Sequence, residues 1–183
     1  QTDITTQRIS SGILQDNKSL RADLHYDFKI PLDMWFANAD IIYQHDQNNL
    51  LASQNVTSDL IQSNYMQMPN NTHSITAQLG ITKHIEPIKT KISLNAIYMW
   101  NRQQAEQNNL LTTYTWQNLG ISPTLTSQPC KYIELDYHGE MSKTFLGYED
   151  IRRSFWSQVH KVSLKITPVQ SLIFSASSDI VKR

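Results

Sequence analysis

The chain has 183 residues, enough for one domain of ordinary size, and its 16 basic residues balance 16 acidic ones. That balance leaves no electrostatic footprint for a nucleic-acid partner. Hydrophobic residues make up 39% of the chain, short of the ~45–50% (glycine included) of a typical soluble domain, and Gln, Asn, Ser and Thr fill the deficit.

The first residues, Gln1-Thr-Asp-Ile, lack the charged-then-apolar pattern of a signal peptide. From Leu20 to Ile30 the chain alternates without a miss. Leu20, Ala22, Leu24, Tyr26, Phe28 and Ile30 are apolar, while Arg21, Asp23, His25, Asp27 and Lys29 between them are charged or polar. Successive side chains of a strand point to opposite faces, so this segment predicts a strand with one greasy and one wet face.

The pattern recurs along the chain. Trp35, Ala37, Ala39, Ile41 and Tyr43 share a face opposite Asn38, Asp40 and Gln44. Ile75, Ala77, Leu79 and Ile81 alternate ahead of Pro87; Ile92, Leu94, Ala96, Tyr98 and Trp100 alternate after it. Leu119 and Ile121 precede Pro129, and Ile133, Leu135, Tyr137, Gly139 and Met141 follow it. Val162, Leu164 and Ile166 lead to Pro168, and Leu172, Phe174 and Ala176 leave it. Tyr114 and Trp116 fall out of phase with Leu119, which predicts a bulge or a late strand start.

The four breaks near 31–33, 86–89, 127–130 and 167–170 each carry a proline, which cannot donate to a ladder. They read as short hairpin turns. The other connections, near 45–72, 102–113 and 144–154, are long and rich in Asn, Gln and Ser. Short turns alternating with long polar connections, and apolar runs of nine residues bounded by Trp and Tyr, fit a membrane barrel with aromatic girdles. The expected fold is therefore all-β: an antiparallel up-and-down transmembrane β-barrel segment of about eight strands, with short periplasmic turns and long extracellular loops. Residues 1–183 are expected to form part of one barrel domain, and the strand-like last residues make the chain read as an excerpt from something longer.

Catalytic signatures are missing: no glycine-rich phosphate loop, no GxSxG, no HExxH. Cys130 is the single cysteine, excludes an intrachain disulfide and reads as an incidental small residue. Asn55-Val-Thr and Asn70-Asn-Thr match glycosylation acceptors by chance. No enzyme activity, metal or cofactor is expected. The row Glu134, Asp136, His138 and Glu140 shares one face but spans roughly 20 Å at about 3.3 Å per residue, too long for one ion. That row and Arg21, Asp23, His25 and Asp27 read mainly as a hydrated face, with ligand or plug contact as the functional alternative. Tyr65, Tyr114, Trp116 and Tyr148, expected in the long loops, are candidates to stack on a sugar.

Segments such as Asn71-Thr-His-Ser-Ile-Thr-Ala-Gln-Leu-Gly-Ile-Thr, Ile85-Glu-Pro-Ile-Lys and Lys91-Ile-Ser-Leu-Asn-Ala-Ile-Tyr resemble the barrel domain of TonB-dependent receptors of the SusC-like type. The stretch from Gln158 to Ala176 resembles one of the closing hairpins of such a barrel. The resemblance implies an outer-membrane wall of about 22 strands, of which this chain would be under half, around a separate plug domain. It further implies uptake of a glycan, peptide or metal chelate energised by the TonB system, with outer-membrane lipid and a surface lipoprotein as partners. No plug domain or TonB box is present in these residues. Two alternatives stand beside it: a soluble lipocalin-like barrel or sandwich with its apolar side inward, and a complete eight-stranded outer-membrane barrel.

Overall fold

A computed structural model describes residues 5–8, 14–56, 60–148, 151–169 and 172–182. The fold is all-β. Eight long antiparallel strands follow one another up and down: β2 (Asn17–Ile30), β3 (Trp35–Val56), β4 (Leu60–Ile85), β5 (Thr90–Gln107), β6 (Leu110–Cys130), β7 (Ile133–Tyr148), β8 (Ile151–Val169) and β9 (Leu172–Lys182). A short β1 (Thr5–Arg8) departs from the meander and pairs in parallel with the far end of β4.

The predicted turns hold at Pro31–Met34 and at Glu86–Ile88, where a single 3-10 turn ends on Lys89 in the left-handed region. The third lies further on than expected. Residues 127–130 belong to β6, and the turn is Lys131-Tyr132. The shift comes from a bulge between Ser127 and Cys130 that absorbs Pro129 within the strand. A matching bulge between Ile166 and Val169 absorbs Pro168, so residues 167–169 also belong to β8, while Gln170 lies outside the described residues. Pro69 lies in a third irregularity, opposite the shift between Asn48 and Leu50. At Pro123 the β6–β7 ladder skips a step between Ile121 and Thr124. Every proline thus stands at a turn or a gap in the ladder, where its missing N–H costs no bond.

The long polar connections take the form of strands. β3 continues past Tyr43 to Val56, and β5 and β6 run on to a two-residue turn at Asn108-Asn109. Tyr65, Tyr114, Trp116 and Tyr148 therefore sit on strands β4, β6 and β7 rather than in loops. No bulge separates Tyr114 and Trp116 from Leu119; the β5–β6 register is unbroken from Thr90 to Gln107. The two aromatics are out of phase because they face the other side of the sheet.

The register also sets the tilt. One line of Cα partners crosses the sheet through Ile30, Trp35, Lys83, Ile92, Leu125, Tyr137, Val162 and Ser178. The outgoing strands start progressively below it. Trp35 is on the line, Thr90 is two residues before Ile92, Ile133 four before Tyr137, and Leu172 six before Ser178. The turns reach a common level if the strands lean by one residue per strand. With about 3.3 Å per residue and about 4.8 Å between strands, that lean is about 35°, the lower end of the ~35–45° found in transmembrane barrels.

Following alternation through the ladders gives two continuous faces. One carries Leu24, Ile41, Leu79, Leu94, Ile121, Leu135, Leu164 and Phe174; the other carries Asp23, Asp40, Gln78, Asn95, Ser122, Asp136, Ser163 and Ser175. Among the described residues nothing covers the apolar face. Leu51 is the one buried hydrophobic residue among those described, whereas Leu24 is 65% and Phe174 57% exposed. The accessible surface is 13422 Å², against about 9,000 Å² expected for a compact soluble monomer of this mass.

Candidate functional site

The candidate site is the polar face. On β2 its side chains pair with one another. Arg21 Nε donates to Asp23 at 3.0 Å, His25 Nδ1 lies 2.5 Å from Asp40 Oδ1 on β3 and its Nε2 3.4 Å from Asp27, and Lys29 lies 3.3 Å from Asp27. Apart from Asp40, which is 32% exposed, these side chains remain largely solvated, so the pairs within β2 add little stability. Higher on β3, three residues past Tyr43, Asp46 lies above the apolar run. The Ser19 hydroxyl and then the Gln44 amide hydrogen bond to its carboxylate and hold it below the ordinary carboxylate range.

The second predicted row lies on the same face at the opposite side of the sheet. His138 Nε2 lies 2.9 Å from Glu140 Oε1, and Lys165 on β8 lies 3.6 Å from Glu134. Asp136 is registered between Thr126 and Ser163. The two charged rows do not come together: β3, β4, β5 and β6 stand between them, about 24 Å at about 4.8 Å per strand. The intervening positions are amides and hydroxyls such as Gln78, Asn95, Asn118 and Thr124. Among the described residues no three His, Cys, Asp or Glu side chains are grouped to hold a metal.

The predicted aromatics divide. Tyr114, Trp116 and Tyr148 converge on a groove of about 670 Å³ at the far end of the polar face, with Leu146 and Ile151 on its floor and Asn101, Gln103 and Arg153 around it. The Tyr114 and Tyr148 rings lie 5.0 Å apart, and the Tyr114 hydroxyl donates to Gln107 at 3.2 Å. Tyr65 does not join them; it pairs with Ala52 on the β3–β4 extension and is 56% exposed. Sequence reading missed Asn101, Gln103 and Arg153 as members of this groove. The available signal was parity: all three share the face of Trp116 once β5 and β8 are extended through their polar stretches.

No protein-family model and no curated protein matches the sequence. Among solved structures, the chain is similar to the β-domain of the Bordetella autotransporter BrkA, with 11% identity over 91% of this chain and 67% of that one, at a TM-score of 0.38.

Proposed function

We propose that this chain is part of the wall of an outer-membrane β-barrel, with its apolar face toward lipid and its polar face lining a hydrated lumen. The supporting observation is the uncovered apolar face. A soluble lipocalin-like protein buries that face to fold, yet here only Leu51 is buried among the described hydrophobic residues. The tilt of about 35° and the apolar run of Trp35 to Tyr43, about 22 Å high at that tilt, suit an outward band about 25 Å tall.

Within that reading the role is transport and reception rather than catalysis. A face of amides and hydroxyls flanked by self-paired charges favours passage of a neutral or mixed-charge solute. The groove of Tyr114, Trp116 and Tyr148 supplies flat surfaces with Asn101, Gln103 and Arg153 as hydrogen-bonding partners, a composition suited to a sugar. TonB-energised uptake, with a plug domain and a surface lipoprotein, is the specific form favoured by the sequence resemblance.

Tryptophan placement tests the orientation. Trp35, Trp100 and Trp156 lie on the apolar face, and Trp116 lies on the polar one. In single-tryptophan variants reconstituted in vesicles, brominated acyl chains should quench the first three and leave Trp116 to aqueous quenchers. Lipid quenching of Trp116 alone would place the faces the other way round. A protein that remains monomeric and folded in buffer without detergent would sink the membrane reading.

A further inference from the structure

We propose that the lipid-facing side of this sheet carries a binding groove for a phosphate-bearing anionic lipid, just above the upper end of the apolar band. The inference rests on the barrel reading above and adds a ligand on the outside of the wall.

A groove of about 790 Å³ lies over β5, β6, β7 and β8 on the face opposite the aromatic lumen groove. Trp100 and Phe145 line it together with Arg102 on β5 and Arg152 on β8. The two arginines share one register line, through Thr115 and Gly147. They are three strand spacings apart, about 14 Å at about 4.8 Å each. Gly147 keeps the floor between them low. Lys143 adds a third cation, its ammonium 5.0 Å from the Phe145 ring centre and on the same face.

Height places the groove. Trp100 is ten residues above the turn end of β5 at Thr90, about 27 Å at the inferred tilt, which is where a hydrocarbon band about 25 Å tall gives way to headgroups. Arg102, one turn of the alternation higher, lies beyond that boundary. Trp100 and Lys143 at the boundary with Arg102 and Arg152 above them match an acylated anion: chains below, phosphoryl oxygens at the guanidinium forks. Charge complementarity selects the occupant. Among the described residues no acidic side chain pairs with Arg102, Arg152 or Lys143; Glu106, paired with Leu111 further up β5, is the one described strand acid on this face, and the others lie on the opposite one. An unpaired basic cluster beside tryptophan at this depth fits a phospholipid or phosphorylated glycolipid of the outer leaflet better than a free anion, for which the apolar wall has no use.

The full-length protein, purified in mild detergent, can be titrated with a bis-phosphorylated glucosamine lipid and followed by native mass spectrometry. Discrete lipid adducts are expected. Loss of each arginine contact should weaken binding about fivefold, so Arg102→Gln with Arg152→Gln should weaken it about twenty-five-fold. Gly147→Leu should fill the groove and block the adduct with both arginines in place; a Cβ there would lie 3.7 Å from Thr115, an ordinary contact that leaves the fold intact. The dephosphorylated lipid should not bind, and millimolar inorganic phosphate should not compete. Equal binding of phosphorylated and dephosphorylated lipid, or full binding by the Gly147→Leu variant, would overturn the proposal. Flotation with vesicles distinguishes the two levels. A protein that inserts but shows no specific adduct refutes the groove alone, and one that fails to insert refutes the barrel reading and the groove with it.

Discussion

The Tyr137 hydroxyl lies 2.9 Å from His160 Nδ1, across β7 and β8 on the apolar face, and the two rings stack with their centres 6.1 Å apart. Tyr43 and His73 repeat the hydroxyl–imidazole contact on β3 and β4 at 3.1 Å, with the rings tilted by 33°. In both pairs the histidine stands two residues from the tyrosine's register partner, Val162 or Ile75. A diagonal neighbour lies within reach of a long aromatic side chain, so one geometry serves both places. If this face meets lipid, as proposed, the bond satisfies two polar groups that would have no water to turn to.

Replacing Tyr137 by Phe removes that bond and leaves His160 Nδ1 unpaired against lipid. The expected loss is about 1 kcal/mol, in the range of measured membrane hydrogen bonds. Urea unfolding of the reconstituted protein measures it. Tyr137 also covers Gly139: a Cβ at that position would lie 2.6 Å from the Tyr137 hydroxyl and 3.1 Å from Pro123. Gly139→Val should therefore cost at least as much, because it displaces the ring and with it the same bond. A Gly139→Val protein as stable as the parent would show that the ring does not rest there.

The β5–β6 turn offers a second test. Asn108 and Asn109 both have positive φ, 52° and 63°, the combination a two-residue hairpin turn needs to match strand twist. Asn109→Val should cost about 1–2 kcal/mol, since a branched Cβ resists this region, whereas Asn109→Gly should be neutral or stabilising. Asn108 also joins this tip to β3: its N–H donates to the Gln54 carbonyl at 2.9 Å, and its Oδ1 accepts from Val56 N at 2.8 Å. Asn108→Gly keeps the turn and loses the second of these bonds. Faster hydrogen exchange at the Val56 amide alone is the expected signature.

These tips mark the limit of what was legible from sequence. Period-two alternation identified the lower strands because one face there is apolar and the other polar. From Leu20 to Ile30 and from Ile92 to Trp100 the faces are as predicted. Above Trp100 both faces are polar, so Arg102-Gln-Gln-Ala-Glu-Gln reads as a loop although the ladder continues to Gln107. The phase change at Tyr114 and Trp116 was visible but reads equally as a bulge; only the unbroken β5–β6 ladder shows that both side chains simply take the polar face. The turn near Pro129 was displaced for another reason: a bulge keeps a proline inside a strand, and sequence does not distinguish that from a turn. Tyr114, Trp116 and Tyr148 were singled out as aromatics outside the apolar runs, but their convergence depends on cross-strand register, which comes from the ladders.

Face assignment can be read position by position on β5. In a Cys130→Ser background, single cysteines at Asn95 and Ile97 should react with a membrane-impermeant thiol reagent applied to the open lumen. Cysteines at Leu94 and Ala96, on the apolar face, should be protected until detergent is added. Ile97 is the discriminating position: it is apolar by composition yet registered with Gln78 and Gly120 on the polar face. Protection at Ile97 together with reactivity at Ala96 would mean a register slipped by one residue, which reverses every side chain of the strand.

The last test concerns the sheet's two edges. No ladder joins β2 to β9 among the described residues, so each strand has an edge of unpaired N–H and C=O groups. In lipid those groups need partners. Closing eight strands on themselves would satisfy them, but an eight-stranded barrel has an interior only wide enough for packed side chains. The polar face here carries Arg21, Asp23, His25, Asp27 and Lys29 on β2 and Lys161 and Lys165 on β8. Arg21 and Lys29 are respectively 56% and 60% exposed. Packing those charges together without water would cost far more than the edge bonds return. The edges are therefore expected to take further strands and to enclose a wider, hydrated lumen. Cysteines at Leu24 on β2 and at Ala176, Ser178 or Ile180 on β9, again without Cys130, should form no intramolecular disulfide on oxidation in the folded full-length protein. A disulfide at any of the three pairings would bring the edges within bonding distance of one another and favour the small closed barrel instead.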